Sequence, residues 1–329
     1  MTNISLELAT QLEPPSLADI YQARQVVYKH IKPTPLLKSA ALDRLVGANV
    51  VVKCENLLPT GAFKVRGGLN LMSQLSPEER QRGVITASTG NHGQSVAYAG
   101  RAYGIKVVIG APLGNNPYKL QAMRDLGAEV VEVGQDFDEA REWAGAEAGR
   151  KGYRFIHSGD EPLLIAGVAT GSLELIEEVP DLDYIFVPVG GGSGACGQCL
   201  GAKGINPRVK VIGVQAEQAP AVYNTLKSGR YSPTATSNTF AEGVATRIPF
   251  ALPYRIMSQL LDDIVLVSDK EMQQAIRVYL ETIHQLAEGA GAAALAAALK
   301  MPDQLAGKKV ALVLSGGNLT LATLQSILA

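Results

Sequence analysis

Short β-branched runs recur along this chain at 50–53, 84–87, 107–110, 129–133, 184–189, 209–214, 264–267 and 310–314, each followed by a stretch of helical length. Strands joined through helices rather than tight turns run parallel, and the helices then cover the sheet faces. The pattern therefore predicts an α/β architecture of open, mostly parallel twisted sheets with flanking helices. Residues 16–31 read as an amphipathic N-terminal helix ended near Pro33, and 287–300 as an alanine-rich packed helix. No internal repeat or low-complexity linker interrupts the pattern.

Length decides how many cores this alternation builds. With 329 residues, 47% hydrophobic and 19% charged, the chain can form two domains that each bury a core. A formal net charge of −1 gives no electrostatic footprint for nucleic acid or an anionic membrane. No run approaches the roughly 18 apolar residues of a membrane span, and residues 1–16 lack the basic start and apolar core of a signal segment, so a cytoplasmic location is expected. Cys54, Cys196 and Cys199 are an odd set that suits a reducing compartment. Cys196-Gly197-Gln198-Cys199 has metal-pair spacing but lacks two further ligands, so its cysteines read as structural and no metal is expected there.

Chemistry concentrates at four turns where an apolar strand meets a helix. Lys64 lies in Pro59-Thr60-Gly61-Ala62-Phe63-Lys64-Val65-Arg66-Gly67-Gly68, among apolar and small residues. Desolvation lowers an ammonium pKa, and a neutral amine attacks carbonyls. The other turns are Ser88-Thr89-Gly90-Asn91-His92-Gly93-Gln94, Gly190-Gly191-Gly192-Ser193-Gly194 and Ser315-Gly316-Gly317-Asn318. At the carboxyl ends of parallel strands, helix N-termini offer free N–H groups to anions, so these turns are expected to converge on one anionic ligand beside Lys64. Read locally, Gly192-Ser193-Gly194-Ala195-Cys196-Gly197 is also an NAD fingerprint with Glu217 as the ribose acid, which would make the chain a dehydrogenase. That reading leaves Lys64 and the 88–94 turn without a role.

A series of motifs in order resembles the fold type II pyridoxal-phosphate enzymes, in the branch of threonine/serine dehydratases and serine racemases. They are Thr34-Pro35-Leu36 with Lys53-Cys54-Glu55-Asn56, the Lys64 segment, the Asn91 turn and the glycine loop, then Phe240-Ala241-Glu242-Gly243, Glu288-Gly289-Ala290-Gly291 and Ser315-Gly316-Gly317-Asn318. The resemblance implies a tryptophan-synthase-β-like fold with a large domain, 1–82 and 158–329, and a small inserted domain, 83–157. It makes Lys64 the Schiff-base lysine, places Phe63 near the cofactor ring and gives Asn91 to the ring 3-hydroxyl. Backbone N–H groups of Gly190, Gly191, Gly192, Ser193 and Gly194 would hold the phosphate. Gly243 and Glu288 would lie at the cofactor, and Ser315 would face the pyridine nitrogen. Ser88, Thr89, Asn91 and His92 resemble the loop that grips the substrate carboxylate, although His92 equally fits an imidazole bonded to nearby backbone, and Glu288 a carboxylate paired with a cation.

The implied reaction is β-elimination from a 3-hydroxy amino acid, giving a 2-oxo acid and ammonia. The chain departs from the family at Ala62, Leu58 and Ser193, where serine, glutamine and glycine are usual. Facing the pocket, these changes would make its lysine side less polar and favour a bulkier, less polar substrate such as an aryl-serine. Thr89 stands where racemases carry a hydroxyl that reprotonates Cα, so racemisation is the alternative. Gln215 and Ala221 stand where metal-binding members carry carboxylates, which with Glu217 alone makes a poor cation cage, so no metal is expected. The end at Ala329 suggests a chain without the regulatory domain of biosynthetic dehydratases, and the family implies a homodimer.

Overall fold

The computed structural model describes residues 12–329, so the N-terminal stretch read for a signal segment lies mostly outside it. All eight expected runs form strands, with ends shifted by at most two residues. They are β2 (Asn49–Cys54), β3 (Val84–Ala87), β4 (Val107–Ala111), β5 (Glu129–Glu132), β7 (Tyr184–Pro188), β8 (Lys210–Ala216), β9 (Asp263–Val267) and β10 (Lys309–Leu314). Two further strands, β1 (Leu36–Leu37) and β6 (Arg154–Phe155), have two residues each, too few to show a side-chain period.

Two sheets result, ordered β1-β2-β10-β7-β8-β9 and β5-β4-β3-β6. Every pairing is parallel except β1 with β2. The second sheet is drawn wholly from residues 84–155. The N-terminal helix is Leu17–Val27, capped by Ser16 and Asp19 in a capping box, and ends four residues earlier than expected because Tyr28 closes it in a turn. The alanine-rich helix is Gly289–Leu299, buried from 289 to 298. Side chains this small let it lie close to β7 and β10.

The helix Val65–Ser73 starts directly after Lys64 and packs against helices Asn91–Tyr103 and Pro162–Glu178. Close approach requires glycine at the crossing: a Cβ at Gly167 would stand 2.5 Å from the Arg66 carbonyl oxygen. Beneath this crossing lies a buried ion cluster. Arg66, fully buried, donates from Nε and Nη2 to Glu55 at 2.7 and 2.8 Å and from Nη1 and Nη2 to Glu174 at 2.6 and 2.8 Å. Lys53 donates to Glu174 at 2.5 Å and to the Thr34 carbonyl at 2.7 Å, and Thr34 Oγ1 donates to Glu55 at 2.7 Å. Two cations thus meet two carboxylates, with hydrogen bonds satisfying the remainder, as buried charges require.

Candidate functional site

Ser88, Gly190 and Ser315 each stand at or just past the carboxyl ends of β3, β7 and β10, and together with Lys64 they line one cavity of about 360 Å³. That is within the range of small-molecule sites. Every site residue expected from the sequence borders this cavity: Phe63, Lys64, Ser88, Thr89, Asn91, His92, Gly190, Gly191, Gly192, Ser193, Gly194, Gly243, Glu288 and Ser315. Glu217 does not; it is exposed beyond β8, so the acid needed by the dinucleotide reading is missing from the cavity.

The glycine loop is shaped by contacts that forbid side chains. A Cβ at Gly190 would overlap the Gly243 carbonyl oxygen, and one at Gly191 the Phe250 ring, while Gly192 has φ +95°. The loop leads into helix Ser193–Ile205, whose first N–H groups have no intrahelical acceptor. A cradle of free donors at the positive end of a helix fits a phosphate. Across from it, Lys64 Nζ donates to Ser193 Oγ at 2.6 Å and lies 5.1 Å from the Phe63 ring centroid. Burial pushes the Lys64 ammonium down to about 8, so a substantial fraction is neutral near physiological pH. An anion cradle beside a part-neutral lysine fits a group with a phosphate at one end and an electrophilic carbon at the other.

On the remaining walls, Asn91 is held from both sides: its amide donates to Glu288 at 2.6 Å and its oxygen accepts from Asn318 at 2.8 Å. Glu288 therefore holds an amide; among the described residues no cation lies within ion-pair distance of it. Burial raises its pKa above the usual carboxylate value. Ser88 Oγ accepts from the N–H groups of Gly90 and Gly93 at 3.0 and 2.8 Å, fixing the helix start. Thr89 Oγ1 has no hydrogen-bond partner among the described residues, although the residue borders the cavity. His92 Nε2 lies 2.9 Å from Thr86 Oγ1, which donates its own proton to the Ile156 carbonyl at 2.7 Å. With that proton committed, Thr86 can only accept, so His92 carries its hydrogen on Nε2. Burial, aided by the Lys64 charge, pushes its pKa down to about 3.

Ala62 and Leu58 are buried away from the cavity, Ala62 paired with Gly316 and Leu58 in the apolar core. The aryl-serine expectation loses two of the three residues on which it rested, and the third, Ser193, borders the cavity with a polar hydroxyl. The mouth is instead charged, with residues that the motif reading missed. Lys119 pairs with Glu242 at 2.6 Å, and Arg247 with Asp136 at 2.8 Å and with Asp138. Both bridges span from the 117–138 segment to the 237–250 loop. Among these residues only Glu242 stood in a quoted motif; the rest sit in loops and helix starts without periodic signal. Gln215 is fully buried, with its carbonyl accepting from the Tyr223 N–H, and Cys196 and Cys199 are buried free thiols.

A family model described as pyridoxal-phosphate dependent enzyme matches residues 27–316. The chain belongs to this family. Its cofactor is therefore pyridoxal phosphate, and the dinucleotide reading of the chain falls. Among its relatives, the chain is 40% identical to an L-threonine ammonia-lyase of Thermotoga maritima, covering 95% of this chain and 78% of that protein. It is 35% identical to a serine racemase of Dictyostelium discoideum, covering 95% and 98%. A solved maize serine racemase superposes with a TM-score of 0.91 at 29% identity, covering 96% of this chain and 97% of that one. No helix among the described residues is long and apolar enough to cross a membrane.

Proposed function

We propose that this pyridoxal-phosphate enzyme dehydrates and deaminates a 3-hydroxy amino acid such as threonine or serine, releasing a 2-oxo acid and ammonia. The observation that carries the reading is the pairing of Lys64 with the 190–194 cradle in one cavity, in a chain with threonine ammonia-lyase relatives. Bound pyridoxal phosphate would supply an electrophilic carbon for the substrate amine and a sink for charge developing at Cα. The 190–194 N–H groups would hold its phosphate and Ser315 would face its ring nitrogen. Asn91, fixed by Glu288 and Asn318, would meet the 3-hydroxyl. The 88–92 turn would orient the substrate carboxylate through its N–H groups, and Lys64 Nζ would take the Cα proton. His92, neutral with its hydrogen on Nε2, would act by holding the turn rather than by donating a proton.

Racemisation is the second reading, supported by the unpartnered Thr89 hydroxyl at the cavity. Threonine and serine are supplied in deuterated water, with 2-oxo acid, ammonia and the opposite enantiomer measured separately. Product 2-oxo acid, absent in Lys64→Ala, supports the dehydratase. Enantiomer without 2-oxo acid transfers the reading to a racemase. We further propose that 83–157 forms the small inserted domain, and that the enzyme is a cytoplasmic homodimer, which sedimentation at working concentration tests.

A further inference from the structure

One buried hydroxyl stands where the family pattern has glycine. Ser193 opens helix Ser193–Ile205, is 2% exposed, and takes a hydrogen bond from Lys64 Nζ at 2.6 Å. Lys64 Nζ has no other hydrogen-bond acceptor among the described residues. A lysine has a flexible four-carbon stem, and one short hydrogen bond decides where its amine rests. The place is unusual for a cation, because the amine sits against the positive end of a helix inside an anion cradle. The Ser193 oxygen is the group that makes that position acceptable to Nζ–H, and its own proton finds no acceptor among the described residues.

We propose that Ser193 is a positioning residue for Lys64: its Oγ docks the free lysine amine by accepting one Nζ–H and so sets where the amine lone pair points when Lys64 works as a base. The inference rests on Lys64 being the cofactor lysine. A hydroxyl acceptor stabilises the ammonium more than the amine, so Ser193 also opposes the neutralising effect of burial and the helix dipole. The hydroxyl proton remains available to an anionic group held by the same loop.

The test uses Ser193→Ala, which keeps the Cβ and removes only the hydroxyl, with Ser193→Thr to restore it. Lys64 acetylation by acetic anhydride is followed against pH in the full chain freed of cofactor, reading the Lys64 peptide by mass. Loss of a hydrogen bond to a charged group should lower the Lys64 midpoint by about one pH unit in Ser193→Ala. The acid limb of kcat in the loaded enzyme should move the same way, and Ser193→Thr should return both. A structural defect would lower activity without extending it to more acid pH. The proposal is overturned if the midpoint and limb stay in place while borohydride still fixes the cofactor onto Lys64. Failure of wild-type Lys64 to be fixed by borohydride would overturn the lysine assignment beneath it.

Discussion

Glu174→Gln tests whether the ion cluster under Lys64 is held by charge balance. In the wild type, Lys53 and Arg66 meet Glu55 and Glu174, and their side chains are 0 to 5% exposed. Replacing Glu174 leaves two cations and one carboxylate out of water. Breaking a buried pair from one side costs about 3–5 kcal/mol, a large part of the roughly 5–15 kcal/mol that holds a domain folded. Lys53→Met alone should cost about the same, leaving one carboxylate in excess. Combined, the two substitutions restore a neutral Arg66–Glu55 pair. Additivity would give a loss of about 6–10 kcal/mol, whereas charge balance caps the double variant near or below the cost of either single one. Urea unfolding followed by circular dichroism measures this, provided the m-value is unchanged. A double variant that loses the full sum would refute the reasoning and leave each contact acting independently. The same cluster sets an acid limit. Burial alone would raise the Glu55 pKa, but the Arg66 guanidinium outweighs it and holds it below the usual value. Its contribution is complete above the unfolded glutamate pKa, about 4.3, and is lost as pH falls through the lower folded one.

Gly190→Ala should leave the fold in place but cut kcat/KM by about a hundredfold, because the added Cβ would lie within 3.0 Å of the Gly243 carbonyl and displace the loop N–H groups. Cofactor affinity by spectral titration checks it, and wild-type affinity would count against a phosphate cradle there. For His92, the folded pKa of about 3 lies below the unfolded value of about 6.5. Its neutral burial therefore contributes stability that is complete above pH 6.5 and drains away as pH falls towards 3. His92→Gln should flatten that part of the stability profile while leaving both limbs of the kcat profile in place; a lost alkaline limb would make His92 a proton donor.

What was legible in the chain followed from local physics. The eight strand runs carry their own period and composition, so they survived into the structure with end shifts of a residue or two. The two-residue strands β1 and β6 carry none, and only their neighbours' registers define them. The glycine turns were readable because close backbone approach admits no other residue. The expectation for Ala62 and Leu58 went astray because the residues around Lys64 divide between cavity and core, and sequence adjacency does not say which way each turns.

By itself, the sequence determined the parallel α/β class and the four turns that border the cavity, since each depends on local periodicity or on glycine's freedom from side-chain clash. Only the tertiary structure decided that Thr34, Lys53, Glu55 and Arg66, spread over three motifs, join Glu174 in one buried ion cluster. It alone also decided that Asn91 is clamped between Glu288 and Asn318, that Ser193 receives Lys64, and that charges rather than apolar groups rim the mouth. Those pairings join residues up to 227 positions apart, and no local preference encodes a partner that distant. They exist because burial leaves each charge or amide the choice between finding a partner and remaining unsatisfied away from water.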